Sequence, residues 1–253
     1  MSRILWYLVA AIAAIYLVLC VALLVFQRSL IYFPQPGSIT APAILTLAVD
    51  DAQVQVAVRP HDGPDALIYF GGNAEDVSRN LPTFSAAFPD RALYLMNYRG
   101  FSGSSGSPSE AAIARDALAL FDQVHATHPN IAVVGRSLGT GVAVRLASQR
   151  PAARLILITP FNSLQDLAVR QYPMFPVKWL LKDTFESWKY AARISVPTRL
   201  IAAENDEVVP RDSTEQLYTQ FTKGVATLQV IGGVGHNSIS ESPEYLKLIG
   251  DGL

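Results

Sequence analysis

A single cysteine, Cys20, is present in the 253-residue sequence, and it lies inside an apolar run. With no second thiol, a disulfide framework and a cysteine-built metal site are both excluded, and thiol usage assigns no redox compartment. Charge is also scarce: 16% of residues are Asp, Glu, Lys or Arg, and the net charge is -1. No basic run is concentrated anywhere, so the chain has no electrostatic footprint for nucleic acid and none for an acidic partner. It has no internal repeat and no low-complexity tract. The turn-rich stretch 97–108 lacks the Gly-Lys-Ser/Thr ending of a phosphate-binding loop, which argues against nucleotide binding. It reads instead as a loop near the site, with Ser109 capping the helix that follows.

What the chain has in quantity is apolar residues, 50% of the total, enough for the core of one large α/β domain. Residues 4–26 form 23 positions without a charge. At about 1.5 Å per residue, such a helix crosses a roughly 30 Å hydrocarbon core. Trp6 and Tyr7 near one end, and Phe26, Tyr32 and Phe33 near the other, are placed like interfacial aromatic belts. A cleaved signal peptide is the competing reading. The run exceeds the usual apolar region of about 7 to 15 residues, and no small-residue cleavage site follows it. Lipoprotein attachment at Cys20 is disfavoured by Leu19, where a small residue is required. Arg3 with the amino terminus on one side and Arg28 on the other leave the orientation balanced. Pro34, Pro36, Gly37 and Pro42 prevent a continuing helix. The expected organisation is a single-pass membrane anchor over 1–28, a tether over 29–43 and a catalytic domain over 44–253.

Beyond the tether, strand-like runs at 66–70, 92–97, 131–134, 155–159, 199–203 and 227–231 alternate with helix-like runs. The helix candidates are 77–88, 110–125, 138–149, 164–171, 213–221 and 243–249. This alternation predicts an α/β fold with a mostly parallel sheet flanked by helices on both faces. The pair 44–49 and 53–58 around Asp50-Asp51 reads as a hairpin at the sheet edge, giving eight strands. In such sheets ligands bind beyond the carboxyl ends of the strands.

At one of those ends stands Gly135-Arg136-Ser137-Leu138-Gly139. An apolar, β-branched strand precedes it and an amphipathic helix follows, the strand-turn-helix setting of a nucleophile elbow. The flanking glycines are needed where helix and strand approach too closely for side chains. Ser137 is the candidate nucleophile. A serine hydroxyl needs a base and the base needs an orienting carboxylate. Of the four histidines, His61 sits in a turn and His125 and His128 end a helix, so these three read as structural or solvated. His236 lies in the Gly-rich loop 232–237 after the last strand and is the candidate base. The loop after the 199–203 strand offers Glu204, Asp206 and Glu207. Any of them satisfies the order Ser, acid, His; Asp206 is preferred, with Glu204 next. Oxyanion stabilisation calls for backbone N–H donors. Leu138 supplies one candidate and Asn73, in Phe70-Gly71-Gly72-Asn73, the other.

Together Gly71-Gly72-Asn73-Ala74, Asn97-Tyr98-Arg99-Gly100, Gly135-Arg136-Ser137-Leu138-Gly139, Asn205-Asp206-Glu207-Val208-Val209-Pro210 and Gly235-His236-Asn237 resemble the membrane-anchored α/β-hydrolases. That group includes eukaryotic depalmitoylases and bacterial serine aminopeptidase-like hydrolases. The resemblance covers nearly the whole chain, anchor included. It implies an α/β-hydrolase fold, a Ser137, Asp206, His236 triad and oxyanion donors at Asn73 and Leu138. The expected mechanism uses neither metal nor organic cofactor, and the expected substrate is a small-molecule or lipid acyl compound, the lipid reading resting on the anchor. The chain departs from many relatives in having Gly71 where they have histidine. Residues 164–189, with Trp179 and Trp188, are all that could form a cap. Their apolar side chains are expected to line an acyl pocket or, for most of them, to pack in the core. The expected chemistry is ester or thioester cleavage through an acyl-enzyme. Amide or peptide hydrolysis, or a catalytically silent binding protein on the same fold, are the alternatives.

Overall fold

A computed structural model of the protein describes residues 3–37 and 41–253. The apolar amino-terminal run forms α1 (Arg3–Ile31). It extends past residue 28 because nothing breaks a helix before Pro34. The β-branched runs form β1 (Ala43–Val49), β2 (Ala52–Arg59), β3 (Asp65–Phe70), β4 (Ala92–Met96), β5 (Asn130–Arg136), β6 (Arg154–Ile158), β7 (Thr198–Ala203) and β8 (Ala226–Ile231). They make one eight-stranded sheet in the order β1-β2-β4-β3-β5-β6-β7-β8. The β1–β2 hairpin lies at one edge, and β2 is antiparallel to β4. From β4 to β8 every neighbouring pair is parallel.

The helices that join the strands are α2 (Leu81–Ala87), α3 (Glu110–His125), α4 (Leu138–Ala147), α5 (Leu164–Gln171), α6 (Val177–Leu180), α7 (Trp188–Ala191), α8 (Arg211–Gln220) and α9 (Pro243–Gly250). The expected helix 77–88 is divided into a 3-10 turn (Val77–Asn80) and α2. Pro82 is the reason: within a continuous helix its ring would meet the carbonyl of Ser78, whereas in the first turn of a new helix it is tolerated. Ser109 accepts a hydrogen bond from Ala112 N–H at 3.2 Å, capping α3 as its sequence position implied.

Side chains alternate across each strand and bury both faces of the sheet. Ile68, Phe70 and Val133 pack with Phe121 of α3 and Val142 of α4 on one face. Leu67, Tyr69 and Ile156 pack with Phe84 of α2 and Ile249 of α9 on the other. A sheet buried on both sides is rigid, and its carboxyl edge is a fixed platform for the loops after β3, β5, β7 and β8.

Candidate active site

Ser137 follows β5, near the middle of that edge. Its backbone sits at φ 49° and ψ -117°, a region disfavoured for any residue with a Cβ. The conformation is held from both sides. Ser137 N–H donates to Ile158 of β6 at 2.9 Å, and Thr140 Oγ1 donates to the Ser137 carbonyl at 2.6 Å. The turn closes so tightly that a Cβ on Gly139 would lie 2.1 Å from the Phe70 carbonyl oxygen, and one on Gly135 would lie 2.4 Å from that of Gly139. No side chain fits either place, which explains both glycines of the elbow.

His236, buried at 5% exposure, presents Nε2 to Ser137 Oγ at 2.9 Å. Its Nδ1 lies 2.9 Å from both carboxylate oxygens of Asp206. The three acids of the β7 loop separate by partner. Asp206 Oδ1 also accepts from Val208 N–H at 3.0 Å and Val209 N–H at 2.7 Å. Glu204 accepts from Gly233 N–H at 2.7 Å, and Glu207 from His236 N–H at 3.2 Å. Glu204 and Glu207 therefore tie the β8 loop to the β7 loop, and only Asp206 addresses the imidazole. The remaining histidines lie elsewhere. His128 pairs with the Gly63 carbonyl at 2.7 Å and Tyr94 at 3.2 Å, and His125 stacks on Phe121.

The loop after β3 lies against the serine, where a Cβ on Gly72 would come within 3.8 Å of Ser137 Cβ. Four bonds fix it. The Gly71 carbonyl accepts from Tyr98 OH at 2.7 Å, and Gly72 N–H donates to Glu75 Oε2 at 2.7 Å. The Asn73 carbonyl accepts from Phe33 N–H at 2.9 Å, and its side-chain amide donates to the Ile31 carbonyl at 2.9 Å. The backbone N–H groups of Asn73 and Leu138 themselves have no hydrogen-bond partner among the described residues. Burial, then the charge of Glu75, pushes the Tyr98 phenol well above its ordinary pKa, so it remains a donor.

Sequence reading missed Glu75. Its carboxylate also receives Tyr69 OH at 2.8 Å, the Asn80 amide and Arg136 Nη1 at 3.4 Å. The only available signal was an acid three residues past Gly72, a spacing common in ordinary turns.

The serine and histidine stand at the head of a cavity of about 740 Å³. Leu23, Gln27 and Leu30 of α1 line it, together with Leu167 of α5 and Tyr172 and Phe175 of the segment that follows. The cap expectation thus divides. Leu164, Leu167 and Val177 face the cavity, but Trp179 is 88% exposed and Trp188 is 40% exposed, so neither tryptophan lines it or belongs to the core. No group of three potential metal-ligating side chains occurs among the described residues.

Comparison with known proteins agrees with this architecture. A family model described as serine aminopeptidase, S33, matches residues 70–190. An uncharacterized protein of Mycobacterium tuberculosis is 35% identical over 237 residues, covering 87% of this chain and 82% of the relative. The α/β-hydrolase domain-containing protein WAV2 of Arabidopsis thaliana is 30% identical, covering 79% of this chain and 77% of the relative. The lysophosphatidylserine lipase ABHD12 of Xenopus tropicalis is 31% identical over 62% of this chain, which spans only 48% of that protein. Among solved structures, the Pyrococcus furiosus esterase Pf2001 shares the fold at a TM-score of 0.69 and 17% identity, covering 87% of this chain and 95% of that one. With two of these relatives matched over most of their length and the elbow, loops and sheet order in place, the chain belongs to the α/β-hydrolase family, and it is a hydrolase.

Proposed function

We propose that the protein is a membrane-tethered serine hydrolase that cleaves carboxylic esters or thioesters of acyl lipids through an acyl-enzyme. The observation that carries this reading is the Ser137, His236, Asp206 relay, with bonds of 2.9 Å, at the head of an apolar cavity. His236 Nε2 removes the Ser137 proton as Oγ attacks the substrate carbonyl carbon. Asp206 holds the tautomer with Nδ1–H directed to it and stabilises the imidazolium. Negative charge on the carbonyl oxygen is met by the Asn73 and Leu138 N–H groups, donors that need no reorganisation. Collapse of this intermediate breaks the bond to the leaving group, which takes the proton from His236. Water, deprotonated by the same imidazole, then releases the acid and restores Ser137.

Apolar walls favour acyl chains over peptides, whose backbone groups would lack partners there. The name of the lipase relative points the same way, with a lipid substrate. A transmembrane role for α1 is supported by its 29 residues and its exposed apolar flank, including Ile12, Val18 and Phe26. Removal as a signal peptide would delete one wall of the cavity, so the helix fits a retained anchor. In membranes containing the protein, a fluorescent fluorophosphonate is expected to label wild type and to miss Ser137→Ala. Ester turnover should fall by roughly 10⁴-fold or more without a change in thermal unfolding. Labelling of the alanine variant, or none of folded wild type, would overturn the assignment.

A further inference from the structure

The segment over the cavity, residues 172–181, lies alongside α1 rather than only on the domain. Tyr16 OH donates to the Met174 carbonyl at 2.9 Å, and the Tyr16 ring stacks on Phe175 with centroids 5.7 Å apart. Farther toward the domain, Gln27 donates to the Leu180 carbonyl at 3.0 Å and accepts from Lys182 N–H at 2.6 Å. Arg28 pairs with Asp183 at 3.0 Å. The polar groups Gln27, Arg28, Lys182 and Asp183 mark one level of the helix. Tyr16 is eleven residues before Gln27, about 16 Å away at 1.5 Å per residue, which is half of a roughly 30 Å hydrocarbon core.

From this register we infer that residues 172–181 are a second membrane-embedded element, reaching toward the bilayer middle beside the anchor, so that the cavity opens within one leaflet. The inference rests on α1 spanning the membrane. Two further observations support it. Met174 and Trp179 expose 78% and 88% of their surface, large apolar side chains that water disfavours and lipid accepts. Apart from the N–H groups of Met174 and Lys178, the backbone of the segment also meets the demand that hydrocarbon makes of irregular chain. Tyr172, Phe175, Val177, Trp179, Leu180 and Leu181 have paired N–H groups, Pro173 and Pro176 have none to pair, and the Met174 carbonyl takes the Tyr16 hydroxyl. Lys178 stands two residues from Leu180, near the polar level, where its stem can carry the ammonium to the headgroups. The cavity is lined by both Leu23 and Phe175, each on the apolar side of Gln27. An acyl chain would therefore reach Ser137 from within the leaflet without passing through water.

The three tryptophans supply the test. Full-length single-tryptophan variants retaining Trp6 (W179F/W188F) or Trp179 (W6F/W188F), and a third carrying Met174→Trp with all three native tryptophans replaced by Phe, are placed in phosphatidylcholine vesicles. The vesicles contain lipids brominated at shallow or deep acyl positions, and cooperative thermal unfolding checks that each variant is folded. The expected result is quenching of Trp6, of Trp179, and of the tryptophan at 174 most strongly by the deep bromines. Quenching of Trp6 alone would overturn the inference and leave the anchor intact. Quenching of none would overturn the anchor reading and the inference with it.

Discussion

Glu75 is assigned no bond to the substrate, yet it receives the Gly72 amide, the Tyr69 phenol and the Arg136 guanidinium at 2.7, 2.8 and 3.4 Å. If Asn73 N–H is an oxyanion donor as proposed, the effect of Glu75 on chemistry passes through the β3 loop: its carboxylate holds Gly72 N–H, and the amide of Asn73 follows directly in the chain. We expect Glu75→Ala to lower kcat by roughly 10²-fold, the effect of losing one oxyanion donor, with KM little altered. Glu75→Gln, which still offers Gly72 an acceptor oxygen, should recover much of the loss. Steady-state kinetics on a soluble ester separate the two parameters. A rise in KM at constant kcat would instead assign Glu75 to substrate binding. The residues that could be read from sequence were those whose neighbours in the chain supply the context. Ser137 has its strand, two glycines and helix within a few positions, and His236 its glycine loop. The choice among Glu204, Asp206 and Glu207 could not be made from spacing alone, because all three sit in one loop and differ only in which group of the β8 loop each meets.

At the scale of elements, the sheet was legible because burial on both faces writes itself into each strand as an apolar run. The contacts between α1 and the segment after α6 were not. Arg28 meets Asp183 across 155 residues and Tyr32 meets it across 151, and no periodicity encodes a pairing so distant. Asp183 is the keystone of that junction, buried at 3% exposure, with Arg28 Nε at 3.0 Å and Tyr32 OH at 3.1 Å. Burial, followed by the Asp183 charge, raises the Tyr32 phenol far above its ordinary pKa, so it donates at any working pH. Removing Arg28 leaves the carboxylate with the phenol as its one remaining side-chain partner among the described residues. Because half of the Arg28 side chain is exposed, the cost falls below that of breaking a fully buried pair, at about 1–2 kcal/mol. Arg28→Ala is therefore expected to lower Tm by about 2–8 °C. Arg28→Ala/Asp183→Asn should recover most of it, since no uncompensated charge remains. A double variant no better than the single one would mean that the ion pair is not what couples helix and cap.

For the whole molecule, the consequence of this packing is that the proposed substrate site is not a property of the sheet domain alone. The carboxyl edge of the sheet supplies Ser137, His236 and Asp206, while the far walls of the cavity come from α1 and the cap. On the proposed function, catalytic geometry and acyl-chain selection are carried by different layers and should respond separately to substitution. Leu23 lines the cavity from α1 on the apolar side of Gln27, distant in sequence from every element that holds the reacting groups. Leu23→Trp fills space where the distal part of a long chain would lie. If two methylenes are displaced from apolar contact, about 1.6 kcal/mol is lost, on the order of tenfold in kcat/KM. A butyrate ester ends nearer the serine and should lose much less. The expected outcome, measured across p-nitrophenyl esters of increasing chain length, is a shift of the optimum toward shorter chains. Equal losses at every length would mean that the substitution disturbed the reacting groups, and no shift at all would mean that acyl chains run along some wall other than α1.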